Sequence, residues 1–313
     1  MNIHLTLKNA GIATLFLLLL PVIHALAQPS TSYKPIVLHA NYDHTKWGIE
    51  PSDLVYQFAA YTTSFDGSDD NNGDGQSDCW GIPEWVAYQV NRKTGPGIEA
   101  YNRPTWMTDD SLNAQGIAPN DATYAVSGTR DLKEVKTDYR YVRGHMCPKD
   151  AADRISMEAG YNTHTVLNAV PQLQWQNNGI WKELENDVTY WADTFATVWV
   201  VCGPVFFDKT PSVWIGQNNE VRAAVPDALY KIVIREANTE TGLETLAFIL
   251  PNVIPKEKDD LAEYITSIGR IEKLTWLTFL SNLDLTKQEK EKALHEDLTS
   301  AQRASLLNSW GTP

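Results

Sequence analysis

The stretch YVRGHMCPKD, from Tyr141 to Asp150, sets an arginine, a glycine and a histidine in a row and follows them with a cysteine. Three interpretations of His145 are open on these residues alone: a catalytic base, a zinc ligand acting with Cys147 and Cys202, and a structural histidine under a turn. Histidine can accept a proton near neutral pH, whereas the cysteine spacing is not typical of a zinc site. The residues downstream decide among the three.

Two further segments follow along the chain: LNAVPQ at residues 167–172 and NNGIWKELE at residues 177–185. From Gly179 to Phe195, apolar residues recur at spacings of three and four, which predicts a helix with one buried face. Asn177 therefore precedes a helix that carries Glu185. The positive end of that helix suits an anion such as phosphate.

Helical and strand patterns follow one another in mixed order, without regular alternation, which favours an α+β fold with an antiparallel sheet. The strand patterns cover residues 56–65, 83–93, 164–170, 196–207, 228–236 and 245–251. A second helical pattern covers residues 260–276.

Together the three segments resemble the signature of the DNA/RNA non-specific endonuclease family, which contains secreted bacterial nucleases and mitochondrial endonuclease G. That signature is an Asp-Arg-Gly-His box, then Asn-x-x-Pro-Gln, then Asn-x-x-x-Trp-x-x-Leu-Glu. The similarity extends over residues 50–280 and includes PEWVAYQVNRK, NRPTWMTDDSL and VVCGPVF. The resemblance implies a ββα-metal (His-Me finger) nuclease, with a central antiparallel sheet flanked by helices.

The resemblance also implies roles for individual residues. His145 matches the general base that activates water. Asn177 matches the ligand of one Mg²⁺ (or Mn²⁺), and Glu185 a residue that holds the waters of that ion. Arg103 matches a loop arginine that stabilises the phosphate, and Asn168 matches an asparagine that positions the site.

Arg143 is expected to face away from the base and to support the site electrostatically rather than to contact phosphate. Two positions depart from the pattern of the family. Val142 stands where the box usually has Asp, and we expect altered fine geometry rather than lost activity. Thr189 stands where some members carry an arginine. A phosphate contact is then either missing or supplied by another basic residue, such as Lys182 or Arg154.

An acidic loop at residues 70–78, DNNGDGQSD, raises a second metal hypothesis. Oxygen-bearing residues and a glycine fall at EF-hand-like spacing: Asp70, Asn72, Asp74, Gly75 and Asp78. The bidentate glutamate of an EF-hand is missing, because position twelve is Gly81. Two alternatives stay open, a structural Ca²⁺ site away from the cleft and a solvated acidic loop.

The chain of 313 residues opens on MNIHLTLKNAGIATLFLLLLPVIHALAQ, whose apolar run and Ala-Leu-Ala site predict a signal peptide over residues 1–27. We expect an endonuclease domain over residues 28–285 and a C-terminal helical tail over residues 286–313. The apolar run is short for a membrane span. The expected product is an exported, soluble protein, periplasmic or secreted.

The formal net charge of −13 argues against broad adhesion to nucleic acid or anionic membrane, but it leaves room for a local basic cleft. The sequence predicts an exported Mg²⁺-dependent endonuclease that hydrolyses DNA and RNA with little sequence specificity. The alternative is a weak or inactive nuclease-like module that binds calcium and a partner. The altered box and the acidic charge favour it, while the intact His145, Asn177 and Glu185 oppose it. The oligomeric state is open.

Overall fold

The computed structural model describes residues 42–67, 79–125, 141–208, 210–217, 219–254 and 259–313. The strands in these ranges are β1 (Ile49–Glu50), β2 (Leu54–Gln57), β3 (Thr62–Phe65), β4 (Pro83–Asn91), β5 (Tyr141–His145), β6 (Ala169–Leu173), β7 (Thr197–Val205), β8 (Trp214–Ile215), β9 (Ala223–Ala224), β10 (Ala228–Glu236), β11 (Leu243–Pro251), β12 (Ile265–Thr266) and β13 (Thr278–Phe279). The α-helices are α1 (Asp110–Ala114), α2 (Asp121–Ala125), α3 (Lys149–Ala152), α4 (Met157–Asn162), α5 (Gln174–Asn178), α6 (Ile180–Phe195), α7 (Ile268–Thr275), α8 (Leu285–Ala293) and α9 (Ser300–Trp310).

The centre of the fold is a seven-stranded sheet in the order β12-β11-β10-β7-β4-β3-β2, in which every neighbouring pair is antiparallel. The four long strands β4, β7, β10 and β11 are mostly buried along their length. They read as nearly continuous apolar runs because both faces of the sheet are covered. The predicted α+β class with a central antiparallel sheet is confirmed.

Helix α6 covers one face of this sheet. Its buried stripe includes Trp181, Leu184, Val188 and Trp191, which belong to one apolar cluster with the facing side chains of β4, β7 and β10. Burial of each large side chain contributes roughly 1.5–3 kcal/mol, which outweighs the modest helix propensity of tryptophan and valine. The helix therefore forms where the spacing of apolar residues predicts it.

The opposite face of the sheet buries a second apolar cluster. Trp85, Trp199 and Ile232 point to this side and pack with Ile271 of α7 and Phe279 of β13. The alternation of the two clusters along β4, β7 and β10 follows the two-residue period of a strand.

Strands β5 and β6 form a separate two-stranded antiparallel sheet, with His145 opposite Ala169 and Val142 opposite Gln172. Helices α5 and α6 follow β6 directly. Helices α3 and α4 lie between the two strands in the chain, and the region from β5 to α6 carries all three sequence segments quoted above.

The last thirty residues contain α8 and α9. Trp310 of α9 is buried against Trp191 of α6 with ring centroids 5.2 Å apart, and the Trp191 Nε1 donates to the carbonyl of Gly311 at 2.7 Å. The boundary at residue 285 stays a prediction. Within the described part of the chain, no helix is long and apolar enough to cross a membrane.

Candidate active site

His145 ends β5 at the wall of a cleft of about 350 Å³. The cleft is lined by Arg103, Pro104, Trp106, Val142, Arg143, His145, His164, Gln174, Asn177 and Asn178. It therefore brings together the first and third sequence segments and the loop that precedes them. Trp106 and His164 lie outside the three segments. Trp106 belongs to NRPTWMTDDSL, which the resemblance to the family includes, whereas no sequence signal placed His164 in the cleft.

The imidazole of His145 is held by two other rings. Its centroid lies 4.6 Å from Trp106 and 4.8 Å from His164. The backbone carbonyl of His145 accepts a hydrogen bond of 3.2 Å from Nε1 of Trp181. The Nε2 atom is closed to solvent and has no hydrogen-bond partner among the described residues. Because Nε2 is shut in, Nδ1 is the ring nitrogen left to meet a water in the cleft.

Burial lowers the pKa of His145 well below its ordinary value, and the neighbouring His164 and the positive charges of Arg103, Lys182 and Lys149 lower it further. Histidine with a lowered pKa is neutral throughout the neutral pH range. A neutral imidazole can accept a proton, so the protonation state suits a general base.

Asn168 is buried beneath His145, and its amide bonds only to backbone. Its Oδ1 accepts from the amide of Cys147 at 2.8 Å, while its Nδ2 donates to the carbonyls of Cys147 and Thr163 at 2.9 and 3.0 Å. These bonds fix the chain immediately after His145. Asn168 is not among the residues that line the cleft.

Gly144 allows β5 and β6 to pack closely beside the base. A Cβ at this position would lie 1.9 Å from Oε1 of Gln172, the buried side chain that bonds to Gln176. Any larger residue would force β5 and β6 apart or displace the side chain of Gln172. The glycine of the Arg-Gly-His run is therefore required by space, not by an unusual backbone angle.

Asn177 lies at the cleft near the end of α5, and its Nδ2 donates to Oδ1 of Asn178 at 3.2 Å. That bond leaves its carbonyl oxygen for a cation. The described residues contain no group of three His, Cys, Asp or Glu side chains that could hold a metal ion. An amide oxygen with few protein partners fits Mg²⁺, which keeps several of its waters, and does not fit a structural zinc site.

The zinc interpretation of Cys147 and Cys202 is not supported. Both are buried, unbridged thiols. Cys202 Sγ lies 3.4 Å from the carbonyl of Met146, and Cys147 Sγ lies 3.7 Å from that of Ala60. Burial raises the pKa of both thiols, to about 12 for Cys202, and neither belongs to a group of three possible metal ligands among the described residues.

Glu185 lies on the buried side of α6, one turn after Trp181. Burial raises the pKa of its carboxyl group, and the charges of Lys231 and Lys182 oppose that rise. Lys231 is completely buried, and its Nζ lies 3.9 Å from the centre of the Trp181 ring. The Oε2 of Glu185 lies 3.6 Å from Nζ of Lys182, and Glu185 is not among the residues that line the cleft.

Arg143 lines the same cleft as His145, so the expectation that it faces away is wrong. Residues two apart on a strand share a face. Its Nε lies 2.5 Å from Oδ1 of Asp121, its Nη2 donates to the carbonyl of Asp121 at 2.9 Å, and its guanidinium lies 5.7 Å from the Trp106 ring. With its charge held by Asp121, Arg143 orders the wall next to the base.

Arg103 is an exposed residue of the cleft wall. Its charge lowers the pKa of both His145 and Asp150, as do those of Lys182 and Lys149. Three cations therefore surround His145 in a protein with a net charge of −13. Two of the three are paired with carboxylates, Lys149 with Asp153 and Lys182 with Asp150, so a phosphate would have to compete with these carboxylates for them.

The family model for DNA/RNA non-specific endonucleases matches residues 75–286. The chain belongs to this family. The matched range contains all three sequence segments and the cleft described above.

Several named relatives match the same region. Nuclease EXOG, mitochondrial, of Homo sapiens is 32% identical over 215 residues, covering 66% of this chain and 54% of that protein. Endonuclease G, mitochondrial, of Bos taurus is 28% identical, covering 64% and 63%. A nuclease of Nostoc sp. is 26% identical, covering 65% and 68%. The chain thus spans between about half and two thirds of the length of these relatives.

The fold is shared with a solved structure. A chain of the crystal structure of the EndoG/EndoGI complex superposes with a TM-score of 0.60 at 20% identity, covering 78% of this chain and 92% of that chain. The predicted nuclease fold, with its central antiparallel sheet flanked by helices, is confirmed.

Two predicted features remain: Val142 in the Arg-Gly-His segment, and the acidic loop. Val142 lines the cleft in place of the acidic residue usual in the box, so the wall is apolar at that point. The acidic loop with Asp70, Asn72, Asp74 and Asp78 lies outside the described residues, as does the predicted signal peptide.

Proposed function

We propose that this protein is a metal-dependent endonuclease that hydrolyses phosphodiester bonds of DNA and RNA with little sequence specificity. The observation that carries the proposal is the presence of His145 and Asn177 in one cleft, whose wall also includes Arg103 and Arg143. Membership of the endonuclease family and the names of the relatives support the same activity.

His145 is the general base. Its ring is fixed by Trp106 and His164, and its low pKa leaves it neutral and ready to take a proton from an attacking water. The buried Nε2 leaves Nδ1 as the acceptor. Trp181 holds the backbone carbonyl of His145, and Asn168 holds the backbone of Cys147 two residues later, so that the nitrogen keeps its position relative to the phosphate.

Asn177, which lines the cleft, would hold one Mg²⁺ or Mn²⁺ through its amide oxygen. Glu185, on the helix that follows, would hold waters of that ion. When bound, such an ion neutralises charge on the phosphate and on the departing oxygen. Arg103 stabilises the phosphate from the loop side, while Arg143 supports the wall through its ion pair with Asp121.

Export follows from the predicted signal peptide over residues 1–27 and gives a periplasmic or secreted enzyme. The mammalian relatives are named as mitochondrial proteins, so the destination is a separate question from the activity. The acidic loop would bind Ca²⁺ as a structural ion, distant in role from the Mg²⁺ of the cleft.

The activity is tested on the mature protein with supercoiled plasmid and with RNA, in Mg²⁺, Mn²⁺ or EDTA. We expect cleavage of both substrates with either metal ion, none in EDTA, and a loss of at least a hundredfold in His145→Ala. Absence of cleavage under every condition would favour the alternative, an inactive module that binds calcium and a partner. Cleavage that survives in His145→Ala would exclude His145 as the base.

A further inference from the structure

The turn of α6 after Glu185 has Thr189 where some family members carry an arginine. The hydroxyl of Thr189 donates to the carbonyl of Asn186 at 2.8 Å, and its carbonyl accepts from Nη2 of Arg154 at 3.3 Å. Thr189 is thus bonded within the protein. It lines a second pocket, of about 510 Å³, together with Asp150 and Arg154, and is not among the residues that line the cleft of His145.

Arg154 is close to Thr189 but is committed to the structure. Its Nη1 and Nη2 lie 2.7 and 3.0 Å from the two carboxylate oxygens of Asp193, and Nη1 also donates to the carbonyl of Asn91 at 3.1 Å. The side chain is only 12% exposed. A two-pronged pair of this kind is strong and geometrically specific, so Arg154 would have to give up the bonds that link it to Asp193 of α6 and Asn91 of β4 before it could bind a phosphate.

Lys149 is also engaged, since its Nζ lies 2.5 Å from Asp153 and 3.9 Å from the centre of the Tyr101 ring. Lys182 is held differently. Its Nζ lies 2.9 Å from Asp150 and 3.6 Å from Glu185, and the side chain of Lys182 is 41% exposed. Its main partner, Asp150, is 63% exposed.

An exposed ion pair contributes at most about 1 kcal/mol. The bond between Lys182 and Asp150 can therefore be exchanged for a bond to another anion at little cost. A phosphodiester offers Lys182 the same kind of negatively charged oxygen that Asp150 offers. Lys182 lies one turn before Glu185 on α6, on the side from which its charge reaches His145.

We propose that Lys182 binds a phosphate of the nucleic acid, and that Asp150 occupies Lys182 until that phosphate replaces it. This inference rests on the proposed nuclease function and adds a residue to it. Asp150 acts as an internal competitor, because its carboxylate must leave Lys182 before a phosphate can bind there. Lys182 would thus make the phosphate contact that an arginine at residue 189 makes in some family members.

The test measures binding without cleavage. A fluorescently labelled DNA duplex is titrated in EDTA with His145→Ala, and with His145→Ala that also carries Lys182→Met, Asp150→Asn or both. Fluorescence anisotropy gives the dissociation constant over a range of salt concentrations. Lys273→Met in the same background is the matched control, because Lys273 is an exposed lysine that pairs with Glu296 at 3.2 Å.

We expect Lys182→Met to weaken binding about tenfold at low salt and to reduce the slope of log K against log salt by about 0.9, the value for one lost phosphate contact. Asp150→Asn should tighten binding by roughly threefold, and this gain should vanish when Lys182 is Met. Lys273→Met should change neither quantity.

Two results would overturn the inference: a Lys182→Met variant that binds like Lys273→Met, or a gain from Asp150→Asn that is the same with and without Lys182. The second result would mean that Asp150 repels nucleic acid generally. A protein that binds as expected but never cleaves would contradict the nuclease proposal alone, whereas cleavage with unchanged binding in Lys182→Met would contradict this inference alone.

Discussion

The indole nitrogen of Trp181 donates a hydrogen bond of 3.2 Å to the backbone carbonyl of His145. Trp181 is completely buried in the face of α6 that packs on the sheet, and Lys231 of β10 lies against its ring at 3.9 Å. This bond joins the strand that carries His145, the proposed base, to the helix that carries Glu185. The position of the base thus depends on the packing of the core.

Trp181→Phe should lower activity as well as stability. The change keeps an aromatic ring but removes the donor, so we expect a loss of roughly 1–3 kcal/mol in the free energy of unfolding and at least a tenfold fall in kcat. Trp191→Phe is the matched control, because Trp191 on the same helix donates to the carbonyl of Gly311 at 2.7 Å away from the cleft. It should lose similar stability and keep its kcat. Equal kcat in the two variants would contradict the positioning role of Trp181.

Asn168→Ala should lower the stability of the protein, because Asn168 bonds to buried backbone and not to the substrate. Three buried backbone groups, two of Cys147 and one of Thr163, would lose their partner. We expect a loss of about 3 kcal/mol or more in the free energy of unfolding, measured by urea titration. Asn178→Ala, at an exposed amide of the cleft, should cost less than about 0.5 kcal/mol. A fully stable but inactive Asn168→Ala would show instead that this amide takes part in the reaction.

The long core elements could be predicted from the sequence because their patterns are local. Strands β4, β7, β10 and β11 are apolar runs, and α6 follows a clear helical spacing. The pattern over residues 56–65 was different. The structure has two strands there, β2 and β3, because the chain turns where the amide of Phe58 bonds to the carbonyl of Tyr61 at 2.7 Å. The turn lacks glycine and proline, so composition did not reveal it.

In the site, too, some features could be predicted from the sequence and others could not. His145, Asn177 and Arg103 meet in one cleft, as the resemblance to the family implies. The pairing of Arg154 with Asp193 and of Lys182 with Asp150 could not be predicted, because these partners are far apart in the sequence and only folding brings them together. The choice between Lys182 and Arg154 as the residue that contacts phosphate therefore depends on the tertiary structure.

Binding of Ca²⁺ to the acidic loop should raise the melting temperature. If Asp70, Asn72, Asp74 and Asp78 bind the ion in the folded state only, Ca²⁺ at a hundred times its dissociation constant adds about 2.7 kcal/mol of stability. Asp74→Ala should remove most of this gain, measured by thermal unfolding with Ca²⁺ or EDTA. Asp110→Ala, at an exposed acidic residue of α1, should keep the gain. A wild-type melting temperature that is unaffected by Ca²⁺ would end the hypothesis.

Acid should destabilise the protein through its buried histidines. Burial lowers the pKa of His44 and of His164 to about 4, below the 6.5 of an exposed histidine. Between these values the unfolded chain binds protons that the folded protein does not, so stability falls as pH drops from 6.5 towards 4 and is unaffected by these groups above 6.5. Each histidine should account for about 3 kcal/mol of that loss.

His44→Asn separates this effect from the titration of carboxyl groups. Nδ1 of His44 accepts from the amide of Gln89 at 3.1 Å, and an asparagine oxygen can accept in its place without titrating near neutral pH. We expect the stability lost between pH 6.5 and pH 4 to shrink by about 3 kcal/mol in this variant, measured by urea unfolding across that range. The same loss in His44→Asn and in the wild type would mean that His44 is already accessible to protons in the folded protein.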